Sequence, residues 1–177
     1  RTLLHHMQAA RRRLAQLGKR PTDKKIRGNA AKYNITQPTH MAMDSQTMEN
    51  TCNDAGSIKP VAIIILNWNG SELLRRFLPS VVEHSDRRIS RIIVADNGSS
   101  DDSIEVLKQQ FPEVEILRFD SNYGFAEGYN RALEAIESKY TILLNSDAAA
   151  TPGWDVELFD YMENPPDVGA CQPKLMS

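Results

Sequence analysis

The chain has 177 residues, of which 41% are hydrophobic, 25% charged and only 7% aromatic. That length suits one domain, and the composition is neither collagenous, low-complexity nor disulfide-rich. The longest apolar run, Val61 to Leu66, is far shorter than the ~18 residues that suggest a membrane span.

The net charge of −2 conceals an asymmetry. Residues 1–59 carry eleven Lys/Arg against four Asp/Glu, and residues 60–177 carry ten against nineteen. Such a split marks two segments with different roles. Cys52 and Cys171 form neither a metal-type pair nor a disulfide framework, which favours a reduced, cytoplasmic setting.

In the first piece, Leu3, Met7, Ala10, Leu14 and Leu17 fall on one helical stripe beside Arg11–Arg13. Two readings stand: a solvated helix with no role of its own, or a basic amphipathic helix touching an anionic membrane or a partner. No secretory h-region is present. From Pro21 to Pro60 the chain is polar and without a sustained period, which predicts linker or disorder. A nucleic-acid role is disfavoured, because the basic segment lacks interleaved aromatics and any motif.

The second piece, residues 60–177, is regular. Val61–Leu66 is a continuous β-branched run, as expected of a strand covered on both faces. Asn67-Trp-Asn-Gly70 ends it. Ser71 is a candidate cap for a helix with apolar pairs at Leu73/Leu74, Phe77/Leu78 and Val81/Val82, which Pro79 should kink or shorten. A second strand, Arg91–Ala95, runs into Asp96-Asn-Gly-Ser-Ser-Asp101. Ser100 is the expected cap of the next helix, whose inner stripe is Ile104, Leu107 and Phe111 and which Pro112 ends. Val114–Phe119 alternates as a third strand. After the loop Asp120–Gly124 comes a helix with Phe125, Tyr129, Ala132, Leu133 and Ile136 on one face. Tyr140–Leu144 is the fourth strand, closing on Asn145-Ser-Asp147. Pro152-Gly-Trp154 opens another helix, and Val168–Cys171 is a short candidate fifth strand.

Four strand–helix alternations argue an α/β fold: an open, mostly parallel sheet with flanking helices and right-handed crossovers. In such sheets ligands bind beyond the carboxyl ends of the strands. Asn67/Asn69, Asp96, Asn122/Gly124 and Asp147 all fall there. The G-x-G-x-x-G dinucleotide fingerprint and the P-loop are both missing. A carboxylate at a strand end suggests instead a divalent cation bridging a diphosphate, with Asp96 accepting hydrogen bonds from a base or ribose.

Four segments carry a resemblance: Val61–Gly70, Asp96–Asp101, Asn122–Asn130 and Leu144–Asp147 followed by Pro152-Gly-Trp154. In order and spacing, residues 60–177 resemble the family 2 glycosyltransferases, and within them the rhamnosyltransferase-like bacterial members. The resemblance implies a GT-A fold and transfer, with inversion, of a sugar such as rhamnose from a nucleotide-diphosphate donor to a saccharide or lipid-linked acceptor. It places Asn67, Asn69 and Asp96 at the nucleoside and Asn122, Gly124, Asn130 and Asn145 in the donor pocket. Asp147 becomes the ligand of a divalent metal, Mg or Mn, in an element reading Asn145-Ser146-Asp147, with an amide where the family's first acid stands. The acceptor side and the general base are expected beyond Ser177. The resemblance thus describes a donor-binding half, acting in the cytoplasm or at the inner face of the cell membrane. Two alternatives stand beside it: a non-catalytic nucleotide-sugar-binding module, and a sugar nucleotidyltransferase, which the Asn-Trp-Asn-Gly turn does not suit.

Overall fold

A computed structural model describes residues 34–36, 59–164 and 168–173. The helix expected over residues 3–17 and most of the expected linker lie outside the described residues.

The elements in chain order are β1 (Asn34–Thr36), β2 (Val61–Asn67), α1 (Ser71–His84), β3 (Ser90–Asp96), α2 (Ser103–Gln110), β4 (Glu115–Arg118), α3 (Gly124–Ala135), β5 (Tyr140–Leu144) and α4 (Trp154–Glu163). They build one sheet in the order β1-β4-β3-β2-β5. Strands β2 to β5 are mutually parallel, and β1 adds to β4 in the antiparallel sense. The expected parallel α/β sheet is therefore present.

β2 sits between β3 and β5, and its run of β-branched residues is covered on both faces. Val61, Ile63 and Ile65 meet Leu74, Leu78 and Val81 of α1 and Ile104 and Leu107 of α2, with Trp154 and Phe159 of α4 packed against them. Ala62 and Ile64 meet Tyr129 and Ala132 of α3. Burying each of the larger β2 side chains contributes about 1.5–3 kcal/mol. On the α3 face the small residues Ala62, Ala95 and Ala132 let the helix lie close to the sheet. The chain order β2, β3, β4 runs outward on one side of β2, and β5 then returns to its other side. That reversal makes the carboxyl end of β2 a topological switch point.

Several local expectations differ from the structure. Asn34–Thr36, inside the segment read as linker, is a strand. A sheet edge recruits a partner through its backbone groups and needs no long apolar pattern. Residues 168–173 are irregular, so Val168–Cys171 is not a strand. α1 runs through Pro79 to His84, because the proline lies on the exposed side of the helix. Ser71 is the first residue of α1 rather than its cap, which is Gly70. Ser100 does not cap α2, which begins after Asp102. Phe125, expected inside, is 54% exposed in the first turn of α3.

Capping is instead shared across loops. The Asp101 carboxylate accepts from the Ser71 amide at 3.0 Å and from the Ser103 amide and hydroxyl at 3.1 and 2.5 Å. One side chain thus serves the first turns of both α1 and α2, where a negative charge suits the helix dipole. Burial alone would raise the Asp101 carboxyl. The bonds from Ser103 and Ser71 outweigh it and hold the group below the usual carboxylate range.

α4 is fixed in a similar way. Asp155 is fully buried and accepts from the Asp86 amide at 2.9 Å and the Ser90 hydroxyl at 2.6 Å. Trp154 Nε1 donates to the Ser85 hydroxyl at 3.1 Å.

Candidate functional site

The polar residues at the carboxyl ends of β2, β3 and β4 form a continuous hydrogen-bonded network. Its floor is buried. Asn67, the last residue of β2, and Asp96, the last of β3, pair in the parallel ladder and are 1% and 0% exposed. Asn67 Nδ2 donates to Asp96 Oδ1 at 3.4 Å and to Ser99 Oγ at 3.2 Å. The Ser99 amide donates to Asp96 Oδ2 at 3.3 Å. Asp96 therefore accepts bonds from its own loop and from the neighbouring strand end. Arg118 Nε stands 3.9 Å from Asp96 Oδ2, on a side chain 56% exposed.

Asn67 Oδ1 is buried with no hydrogen-bond partner. It lies 2.5 Å from where a Cβ on Gly70 would stand, so a larger residue there would displace the buried Asn67 amide. Asn69 adopts φ +49°, a left-handed conformation that asparagine tolerates better than most residues. Its amide donates to Ser99 Oγ at 2.9 Å, and its Oδ1 accepts from the Ser100 amide at 2.8 Å. Trp68, between these two asparagines, is 57% exposed.

The second half of the network joins β3 to the loop after β4. Asn97 is 2% exposed. Its Nδ2 donates to Asn122 Oδ1 at 2.9 Å and to the Gly124 carbonyl at 3.1 Å. Its Oδ1 accepts from the Tyr123 amide at 3.0 Å. Asn122 Oδ1 also accepts from the Gly124 amide at 2.7 Å, bending the chain into α3 through a glycine at φ +73°. The Arg131 guanidinium lies 3.6 Å above the Tyr123 ring. The Tyr123 hydroxyl donates to Asp120 Oδ1 at 2.5 Å and holds that carboxyl below its ordinary range.

On the other side of β2, Asn145 and Asp147 form an exposed turn after β5, closed by the Ala148 amide donating to the Asn145 carbonyl at 3.2 Å. Asn130 is half-buried on α3. The structure thus gathers Asn67, Asn69, Asp96, Asn122 and Gly124 into one network, with Asn145 and Asp147 at the adjacent strand end and Asn130 on the helix behind. Sequence reasoning missed Asn97, Ser99 and Tyr129, and it placed Asp101 at the start of α2 without its second bond to Ser71. For Tyr129 a signal existed: a hydroxyl on an inward helix stripe requires a buried partner.

Among the described residues no group of three or more His, Cys, Asp or Glu gathers as a metal site. The side-chain oxygens of the turn are the Asp147 carboxylate, the Asn145 amide oxygen and the Ser146 hydroxyl. Mg²⁺ commonly uses one or two carboxylates and takes its other ligands from phosphates and water, and this donor set fits a cation that arrives with a diphosphate.

The fold and site define a class: an open α/β domain with a polar network at the carboxyl ends of its strands, beside a switch point. The chain matches the glycosyl transferase family 2 model over residues 62–175, more than half its length, and it belongs to that family. It is 27% identical over 124 residues to the N-acetylglucosaminyl-diphospho-decaprenol L-rhamnosyltransferase of Mycobacterium tuberculosis, covering 64% of this chain and 40% of that protein. The chain therefore spans less than half the length of that relative.

Among solved structures it is similar to the mannosyltransferase PcManGT of Pyrobaculum calidifontis in complex with GDP-Man and Mn²⁺. That match has a TM-score of 0.54 at 16% identity and covers 92% of this chain and 40% of that one. It is also similar to S. aureus TarS in complex with UDP-GlcNAc, with a TM-score of 0.51 at 17% identity, covering 65% of this chain and 37% of that one. At these identities the likeness establishes the shared GT-A fold.

Proposed function

We propose that this chain forms the donor-binding half of a glycosyltransferase that moves a sugar from a nucleotide diphosphate to a saccharide or lipid-linked acceptor, with inversion. One observation carries the reading. A single polar network spans the ends of three adjacent parallel strands, and an exposed carboxylate stands at the end of the fourth. The nucleoside lies against Asn67, Asn69 and Asp96, with Arg118 swinging aside from Asp96 as the base arrives. Asn122, Gly124, Asn130 and Asn145 line the donor pocket.

Asp147 holds a divalent cation together with the diphosphate oxygens. When bound, that cation neutralises the leaving diphosphate. The solved relatives support this reading, since one carries a GDP-sugar with Mn²⁺ and another a UDP-sugar. The mycobacterial relative, named for a lipid-linked acceptor, supports an acceptor of that type and rhamnose as the sugar.

The test is thermal melting of the chain with UDP, dTDP and GDP, each with and without Mn²⁺. A ligand at about 100 times its Kd adds about 2.7 kcal/mol to stability, which moves the melt by several degrees. One nucleotide should raise the melt, and Mn²⁺ should enlarge the shift. Asp147→Ala should abolish only the Mn²⁺ gain, whereas Asp96→Ala should weaken binding with or without metal. A cooperative melt that no nucleotide moves would refute donor binding and favour a non-catalytic module.

A further inference from the structure

The ladder between β2 and β5 ends at the rung Ile65–Leu144. The Tyr129 hydroxyl stands at this last rung and donates to the Leu144 carbonyl at 2.9 Å. One phenol therefore ties α3, which begins at Gly124 within the polar network, to the end of β5.

Packing holds Tyr129 in place. Its side chain is 6% exposed, and its ring meets the edge of Phe125 with centroids 5.0 Å apart and planes at 77°. The preceding Gly128 lets α3 approach, because a Cβ there would stand 2.9 Å from Leu66 Cδ1. Burial pushes the phenol up to about 12, and the negative charge of Asp147 adds to the effect against the Leu66 amide. The hydroxyl thus stays protonated and remains a donor at neutral pH. For core packing alone a phenylalanine would serve. The hydroxyl is spent on Leu144, three residues before Asp147.

We propose that Tyr129 is a positioning residue that ties the Asn145–Asp147 turn to α3. It thereby sets the span between the carboxylate that meets a metal-bound diphosphate and the network that holds the nucleoside. This rests on the donor-site reading above.

The test uses Tyr129→Phe in the 177-residue chain, which removes the hydroxyl and keeps the ring. Two measurements are made: hydrogen exchange of the amides of residues 146–148, and affinity for UDP, dTDP and GDP with and without Mn²⁺. Exchange at those amides should quicken by about tenfold, as losing one such bond allows, while the amides of Ile63–Ile65 stay protected. The Mn²⁺-promoted gain in nucleotide affinity should shrink by about fivefold or more, with metal-free affinity held within about twofold.

Unchanged exchange would overturn the tether. Equal losses of affinity with and without Mn²⁺ would reduce Tyr129 to a structural residue and overturn the positioning role. A wild-type chain that binds none of the nucleotides would overturn the donor-site reading and the functional role with it, and the exchange data would still decide the tether.

Discussion

Gly98 lies in the loop after β3 with φ +73°, and a Cβ there would stand 2.6 Å from the Ser121 carbonyl carbon, 2.7 Å from its Cα and 3.0 Å from the Asn122 amide nitrogen. These are backbone atoms of the loop that leads to Asn122 and Gly124, so no side-chain rotation relieves the contact. Gly98→Ala therefore incurs two costs. The left-handed conformation costs an alanine about 1–2 kcal/mol, and pushing two loops apart adds about 1–3 kcal/mol. The sum, about 2–5 kcal/mol, is a large share of the ~5–15 kcal/mol typical of a whole domain.

Gly153 supplies the control. Its φ is +76°, and a Cβ there would meet nothing within 4 Å, so Gly153→Ala should cost only the conformational part. The assay is urea unfolding of both variants beside the wild type. With m of about 1–3 kcal/mol/M, the midpoint of Gly98→Ala should fall by on the order of 1–2 M or more, and that of Gly153→Ala by about half as much or less. Equal midpoints in the two variants would refute the claim that close approach of the two loops, rather than backbone conformation, makes glycine necessary at position 98.

Asn97 is expected to be as sensitive, because it gives two hydrogen bonds and takes one across the same pair of loops. Asn97→Ala should lower unfolding free energy by about 1–3 kcal/mol, and Asn97→Asp, which cannot donate to the Asn122 and Gly124 oxygens, should be no better than alanine. An aspartate variant as stable as wild type in urea would sink this assignment. The pH prediction concerns Asp86, whose carboxyl is held down to about 2 from 3.8 by hydrogen bonds from Arg88. A folded value below the unfolded one stabilises the protein above about pH 4, and that contribution disappears as pH falls towards 2. Arg88 is 88% exposed, so salt should weaken the effect. In an NMR titration Arg88→Ala should move Asp86 back towards 3.8; an unmoved midpoint would show that Arg88 is not the cause.

Much of the architecture was legible because the relevant signals are local. The β-branched run Val61–Leu66 can only be a doubly covered strand, and strand β5 runs over the expected Tyr140–Leu144. The polar clusters follow each strand directly in the chain, so their position at the carboxyl edge comes with the parallel order. Capping failed at Ser71 and Ser100 for a physical reason. Asp101 reaches Ser71 across 30 residues, and its two oxygens then serve both helix starts.

Length, charge asymmetry, strand periodicity and the short motifs after each strand are properties of neighbouring residues, and the sequence by itself determined them: a parallel α/β sheet with polar groups at four strand ends. Tertiary structure alone decided how those groups are used. It sealed Asp96 beneath Asn67, Ser99 and Arg118, made Asn97 the bridge between two loops 25 residues apart, and set the Tyr129 hydroxyl on the Leu144 carbonyl at the end of β5. It also brought Asn34–Thr36 to the edge of β4. Each of these depends on a donor finding its acceptor between distant segments, and that pairing exists only once the sheet order has brought the segments together.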